Sequence, residues 1–142
     1  MALKSTGRTH WEGTLFEGSG TASLDSGAVE PMKVTWKARA EEHGGITSPE
    51  ELIAAAHSSC YSMALSNMLA KNETPATSLD VTATATFVPG DGLTTMELEV
   101  VGTVDGISDE KFEELADAAK DGCPVSQALA GNVAISLEAS LA

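Results

Sequence analysis

Apolar and polar residues alternate along the first part of the chain at the spacing of half-buried β-strands. The clearest early strand is predicted over residues 32–39, where the apolar positions are Met32, Val34, Trp36 and Ala38. Two weaker strands are predicted over 10–16 and 20–24, followed by a glycine-containing turn at 25–27. The first 40 residues therefore predict strands and no helix.

The same alternation predicts three later strands, over residues 79–87, 96–104 and 133–141. The turn at 89–92, with the sequence Pro-Gly-Asp-Gly, joins the first two as a hairpin.

A long helix is predicted between these two groups of strands. Ser48 is a suitable N-cap, Pro49 suits the first helical position, and Glu51 stands three residues after the cap. The helix is predicted to end near Asn72. It is apolar on most sides, through Leu52, Ile53, Ala54, Ala55, Ala56, Met63, Ala64, Leu65, Met68 and Leu69. We expect it to be buried between a sheet and a second copy of itself.

A second helix is predicted from Ser108 and its acidic first turn to Lys120, with Gly122 just beyond. A short helical turn is expected after Pro124. The predicted order is β-β-β-α-β-β-α-β, an α+β fold in a single domain over residues 1–142.

Composition excludes some function classes. A net charge of −13 argues against a nucleic-acid partner and against an anionic membrane surface. The first ten residues lack the apolar stretch of a signal peptide, and the longest helical apolar run, 52–56, is too short to span a bilayer. We therefore expect a cytoplasmic protein.

The chain contains two cysteines, Cys60 inside the long helix and Cys123 after the second. Two lone thiols in a reducing compartment are typical of a redox pair. The structural alternative is a disulfide across 62 intervening residues, worth roughly 4 kcal/mol, which would not persist there. The scattered histidines and cysteines show no metal-ligand spacing, so we expect neither a metal nor a cofactor.

A thiolate on Cys60 would need a nearby cation, and Arg39 is the best candidate among eight Lys and Arg residues. On its own, Arg39 is more typical of a solvated strand face, which it would share with Lys33, Thr35 and Lys37. Glu50 is free to pair with an arginine, because the capping position belongs to Glu51. His57 is either a base for Cys60 or, more simply, a hydrogen-bonded helix histidine.

Cys123 presents a competing argument about which thiol attacks. It occupies the N-cap of the short helix opened by Pro124, where the helix dipole lowers a thiol pKa. Asp117 and Asp121 are close in sequence and would oppose ionisation. The residues alone leave the order of attack open.

Three segments carry a family resemblance. Residues 48–60, with the sequence Ser-Pro-Glu-Glu-Leu-Ile-Ala-Ala-Ala-His-Ser-Ser-Cys, resemble the signature helix of the OsmC/Ohr family of thiol peroxidases. Residues 122–126 are similar to that family's second-cysteine motif, and residues 9–13 resemble its opening segment. The likeness thus covers nearly the whole chain.

The resemblance implies that Cys60 is the peroxidatic cysteine, that Cys123 is the resolving cysteine, and that Arg39 and Glu50 activate the first thiol. An arginine after the third predicted strand is similar to the OsmC branch, whereas the Ohr branch carries it nearer the N-terminus, where this chain has only Arg8. The implied fold is an intertwined homodimer, with long central helices packed against antiparallel sheets and active sites at the subunit interface.

The implied activity is reduction of organic hydroperoxides, and of hydrogen peroxide as a second substrate, through a sulfenic acid and a disulfide. The implied partners are the hydroperoxide and a dithiol reductant of lipoyl or thioredoxin type. Two alternatives from other classes are a non-catalytic thiol redox switch and a binding protein for small apolar ligands.

Helix geometry adds a constraint on such a site. Glu50 and Cys60 are ten residues apart, so an unbroken helix separates them by about 15 Å along its axis and about 80° around it. Either the helix breaks between Pro49 and Cys60, or the partner subunit supplies Glu50. The apolar circumference of the helix favours the second arrangement.

Overall fold

The computed structural model describes all 142 residues, which divide into two compact units, residues 1–52 and residues 53–142. The predicted α+β class is confirmed, with two three-stranded sheets and four helices. No helix has the length and apolar character needed to cross a membrane. The single domain over residues 1–142 remains a prediction.

The first unit contains an antiparallel sheet of three strands in the order β1-β2-β3. These are β1 (Gly7–Glu12), β2 (Ser19–Leu24) and β3 (Met32–Val34). Strand β1 begins and ends earlier than the predicted 10–16, because residues 7–12 pair in register with residues 19–24. Gly20 pairs with Trp11 across β1 and β2. A larger residue at position 20 would crowd this pair, since a Cβ there would lie 2.8 Å from the Trp11 ring.

The strand predicted over residues 32–39 is wrong in its second half. Residues beyond β3 form a short helix, α1 (Trp36–Ala40). The Thr35 side chain accepts a hydrogen bond from the Ala38 amide and so caps this helix. Arg39 therefore projects from a helix, and the solvated strand face proposed for it does not exist.

The long helix is confirmed as α2 (Pro49–Lys71), which is unbroken and continues from the first unit into the second. The Ser48 hydroxyl accepts from the Glu51 amide at 3.1 Å, as the N-cap pattern predicted. The Glu51 carboxylate accepts from the Thr47 hydroxyl at 3.2 Å. A break between Pro49 and Cys60 is therefore excluded.

The second unit contains a mixed sheet in the order β4-β5-β6. The hairpin of β4 (Ser78–Val88) and β5 (Gly92–Thr103) is antiparallel, as predicted. Strand β6 (Ala134–Leu141) is parallel to β5, so the expectation of purely antiparallel sheets is wrong. The reason is the crossover through α3 (Asp109–Gly122) and α4 (Pro124–Leu129), because parallel neighbours need a connection longer than a hairpin turn.

The core of the second unit lies between its sheet and its helices. Helix α2 contributes Tyr61, Leu65 and Leu69, which pack with Leu98, Val100, Phe112, Ala116, Ala119 and Cys123. The opposite side of α2 is exposed along Ala55, Ala56, Ser59, Met63, Ser66 and Ala70. The helix predicted to be buried all round thus buries one face within the chain and presents a face of small residues on the other.

Candidate active site

Arg39 and Glu50 form a close ion pair in the first unit. Arg39 Nε donates to Glu50 Oε1 at 3.0 Å and to Oε2 at 3.3 Å, while Nη2 donates to Oε1 at 2.7 Å. The Glu50 side chain is only 7% exposed, whereas that of Arg39 is 36% exposed. A buried carboxylate thus fixes one edge of the guanidinium, as in charge-assisted pairs of this kind.

Arg39 also borders an apolar cavity in the first unit. The cavity has a volume of about 310 Å³, and its apolar lining includes Trp11, Leu15, Val34, Trp36 and Leu52. Phe16 packs edge-on against Trp36, with the ring centroids 5.8 Å apart. One fixed cation beside an apolar cavity is an arrangement that suits a ligand with a polar group and a hydrocarbon part.

Cys60 and Cys123 meet in the second unit as free thiols, although they are 63 positions apart in sequence. Helix α2 carries Cys60, which is half-buried, and Cys123 is fully buried at the N-cap of α4. The two side chains are close enough for each thiol to shift the pKa of the other. Neighbouring thiols are the arrangement from which a disulfide forms.

The two thiols have opposite pKa directions. Burial raises the pKa of Cys60, against an opposing effect of the Val125 amide, and the neighbouring Cys123 raises it further. Burial is the largest single effect on the pKa of Cys123 and opposes its ionisation. The Ser126 amide, the Cys60 thiol, the Ser126 hydroxyl and the Val125 amide together outweigh burial and hold that pKa below the ordinary thiol value. Within this unit, Cys123 is therefore the more acidic thiol, as its position at the N-cap of α4 predicted.

Asp117 and Asp121 are both exposed, so the opposition to Cys123 ionisation that the sequence suggested is screened by solvent. Asp117 acts instead on Tyr61, whose pKa is raised by burial first and by this carboxylate second. The Tyr61 hydroxyl donates to the Ala116 carbonyl at 3.0 Å. Tyr61 is a fully buried core residue in the same cluster as Cys123, and Cys60 packs against that cluster.

His57 is a buried, hydrogen-bonded helix histidine, which is the simpler of the two interpretations made from sequence. Its Nε2 lies 2.7 Å from Ser126 Oγ, and its Nδ1 has no hydrogen-bond partner. Burial lowers the His57 pKa, so the ring is neutral near pH 7. Sequence reasoning missed Ser126. The available signal was its place three residues after Cys123, facing the N-cap in the first turn of α4.

The four predicted site residues thus occur as two pairs, Arg39 with Glu50 in the first unit and Cys60 with Cys123 in the second. No group of three or more His, Cys, Asp or Glu residues is placed to hold a metal ion. The chemistry available is that of two thiols, one fixed guanidinium and neighbouring hydrogen-bond donors.

Comparison with known proteins identifies the family. Residues 42–138 match the family described as OsmC-like protein, and the chain belongs to that family. Peroxiredoxin OsmC of Escherichia coli (strain K12) is 38% identical over 138 residues, which are 95% of this chain and 96% of the relative. Organic hydroperoxide resistance protein OhrB of Bacillus subtilis (strain 168) is 30% identical over 122 residues, 84% of this chain and 88% of the relative.

The fold of this chain is also similar to solved structures of proteins with related names. The crystal structure of an organic hydroperoxide resistance protein OsmC from Legionella pneumophila superposes with a TM-score of 0.75 at 21% identity, and the match covers 99% of this chain and 98% of that one. The predicted enzyme class, a thiol-dependent peroxidase, is confirmed by the near full-length relationship to a peroxiredoxin.

Proposed function

We propose that this protein reduces organic hydroperoxides through a two-cysteine cycle, with Cys60 as the peroxidatic residue and Cys123 as the resolving residue. The observation that carries the proposal is the contact between two reduced thiols that are distant in sequence. Relatives named for peroxide reduction and for organic hydroperoxide resistance support the substrate class.

The cycle needs no group beyond the chain, the peroxide and a dithiol. The Cys60 thiolate attacks the terminal oxygen of the hydroperoxide, the O–O bond breaks, and the departing alkoxide takes a proton to become the alcohol. Cys60 is left as a sulfenic acid. The Cys123 sulfur then attacks the Cys60 sulfur, and water leaves as the disulfide forms. An external dithiol of lipoyl or thioredoxin type restores both thiols by exchange. Such recycling suits a reducing compartment, and we propose the cytoplasm.

Activation of Cys60 requires a cation, because burial raises its pKa and the Val125 amide only partly compensates. We assign this cation to Arg39, which Glu50 orients. Glu50 and Cys60 are ten residues apart on unbroken α2, about 15 Å along the axis. We therefore infer a two-fold homodimer, in which Arg39 and Glu50 of one subunit complete the thiol site of the other.

The exposed face of α2 supports this dimer. It carries alanine and serine residues, with Met63 68% exposed among them. Small residues let two helices approach closely, and an exposed apolar residue on such a face is explained when a second copy covers it.

Mixed dimers test the shared site. Combining Cys60→Ser chains with Glu50→Ala chains produces heterodimers with one intact site and one doubly defective site. We expect activity to recover on mixing, up to about half that of the wild-type dimer when all dimers are mixed, measured as peroxide consumption after subunit exchange. Mixing the two kinds of chain as separately cross-linked homodimers is the control. Verified heterodimers that are no more active than the Glu50→Ala homodimer would place all four residues in one chain.

The apolar cavity beside Arg39 supports organic hydroperoxides over hydrogen peroxide. Leu52 lines this cavity and is half-buried. We expect Leu52→Asn to raise the KM for cumene hydroperoxide about tenfold, since burial of a leucine is worth about 1.5–3 kcal/mol. The kcat/KM for hydrogen peroxide should be unchanged. Leu24→Asn, on β2 and outside the cavity, is the matched control. Equal losses with both peroxides would remove the cavity from substrate selection.

Steady-state turnover tests the function itself. Reduced protein is supplied with alkyl, aryl and hydrogen peroxides, each with lipoyl and thioredoxin-type dithiols. We expect many turnovers per chain and higher kcat/KM for the organic peroxides. Oxidation that stops after one equivalent with every dithiol would instead indicate a thiol switch.

A further inference from the structure

The second unit contains a row of neighbouring polar side chains, most of them buried, and the cycle proposed above does not explain it. It runs from His57 on α2 to Ser126 on α4, on to Cys123, and ends at Cys60. His57 is fully buried, and its Nε2 lies 2.7 Å from Ser126 Oγ. Ser126 is 4% exposed. Buried polar groups are normally hydrogen-bonded, and a network of such bonds makes the core around it rigid.

The direction follows from counting hydrogens. A serine hydroxyl has a single hydrogen to donate, and a neutral imidazole has a single N–H. If Ser126 donated to His57 Nε2, the only imidazole hydrogen would be on Nδ1, which has no partner, and none would remain for the sulfur. If Nε2–H donates to Ser126 Oγ, the hydroxyl hydrogen is free to point at Cys123. Nδ1 is without a partner in either arrangement, as an N–H in the first and as a lone pair in the second. Buried N–H groups without an acceptor are especially rare, which favours the second.

The position of Ser126 agrees with the second arrangement, because it lies in the first turn of α4, three residues after the N-cap Cys123. The Ser126 hydroxyl is among the groups that hold the pKa of Cys123 low despite its burial, which is the effect of a hydrogen donated to the sulfur. The other titratable groups nearby do not replace it. The Tyr61 hydroxyl donates to a carbonyl, and the exposed Asp117, Asp121 and half-buried Lys120 are in or near the last turn of α3.

We propose that His57 and Ser126 are positioning residues for the resolving step. His57 Nε2–H fixes the Ser126 hydroxyl so that its hydrogen points at Cys123 Sγ and stabilises the thiolate that attacks the Cys60 sulfenic acid. The inference rests on the proposed function, because it concerns the second step of that cycle.

The step balances without any further reactant. A bond forms between the Cys123 and Cys60 sulfurs, and the S–O bond of the sulfenic acid breaks. The departing hydroxide takes the proton that Cys123 released and leaves as water. Ser126 and His57 keep their hydrogens throughout, so neither is a base.

A single-turnover experiment separates the two steps. Reduced protein is mixed with one equivalent of cumene hydroperoxide from pH 5 to pH 9. Loss of peroxide reports the first step, and decay of sulfenic acid, captured by a dione reagent and quantified by mass spectrometry, reports the second. We expect Ser126→Ala to slow the second step about tenfold or more at pH 7, with much smaller change in the first. Its pH profile should move to higher pH, because the thiolate has lost a donor.

Conservative variants keep the test independent of folding. Ser126→Thr retains the hydroxyl, and His57→Gln retains an N–H near the Nε2 position. Both variants should therefore keep much of the wild-type rate of the second step. His57→Leu should lower that rate as Ser126→Ala does. Ser136→Ala, exposed on β6, is the matched serine control.

The outcomes distinguish this inference from the proposed function. If the wild-type protein consumes no peroxide, the proposed function fails. If peroxide is consumed and Ser126→Ala forms the disulfide with the wild-type rate and pH profile, the positioning role is wrong. Equal slowing of both steps, or no rescue by Ser126→Thr and His57→Gln, also overturns it, since that is the behaviour of a packing defect.

Discussion

Cys60→Ser is expected to abolish peroxide consumption in a single turnover, whereas Cys123→Ser should consume one equivalent and stop. The first variant lacks the sulfur that accepts the peroxide oxygen. The second lacks the thiol that removes it, so a sulfenic acid should accumulate on Cys60. Stopped-flow measurement of peroxide, followed by mass spectrometry of the trapped protein, checks both results.

The reverse result has a definite physical meaning. Within the second unit, Cys123 is the thiol with the lowered pKa, because of the amides and hydroxyl at the start of α4. If Cys123→Ser is inert while Cys60→Ser reacts once with peroxide, these local donors determine the nucleophile. Arg39 would then have no role in activating Cys60.

Arg39→Ala should give the second large effect, a loss of at least tenfold in the rate of Cys60 attack at pH 7. Burial already raises the pKa of Cys60. In the proposed dimer, removing the positive charge that Arg39 of the other subunit supplies raises it further. Below the thiol pKa, each unit of increase lowers the thiolate fraction about tenfold. The rate should therefore recover in part as the pH rises toward 10. Rate against pH, measured by stopped flow, is the test.

Arg8→Ala is the matched control for this experiment. Arg8 forms an exposed ion pair with Asp25 at 2.8 Å, and its side chain is 70% exposed. Its loss should leave the rate unchanged, since such pairs contribute little. Glu50→Ala should give a weaker form of the Arg39 defect, because the guanidinium keeps its charge but loses its orientation. An Arg39→Ala rate equal to wild type at pH 7 would exclude Arg39 from the site.

The regular elements could be predicted wherever a periodic pattern was long and its ends were marked. Helix α2 had an N-cap serine, and the β4-β5 hairpin had a Pro-Gly-Asp-Gly turn. Helix α1 could not be recognised, because Trp36 and Ala38 continue the alternation of β3 while the Thr35 cap ends the strand. The direction of β6 depends on how α3 and α4 cross the sheet, which alternation alone does not encode.

The candidate site also has one contact that the sequence could predict and others that it could not. The pairing of Arg39 with Glu50 could be anticipated, because Glu51 occupies the capping position and leaves Glu50 available. The contact of Cys60 with Cys123 and that of His57 with Ser126 join residues more than 60 positions apart. Such contacts are produced by packing of α2 against the later helices. The sequence indicated the pair of thiols and the position of Ser126 after Cys123, but the periodicity along the chain does not encode the contacts themselves.

One measurement tests the central claim most directly. Fully reduced wild-type protein receives one equivalent of cumene hydroperoxide without a dithiol, and the alcohol, the remaining thiols and the peptide linkage are quantified together. The two-cysteine cycle predicts one alcohol formed per chain, both thiols lost, and an intrachain Cys60–Cys123 disulfide that a dithiol reduces. Unconsumed peroxide, or consumption that leaves Cys60 and Cys123 unlinked, would contradict it.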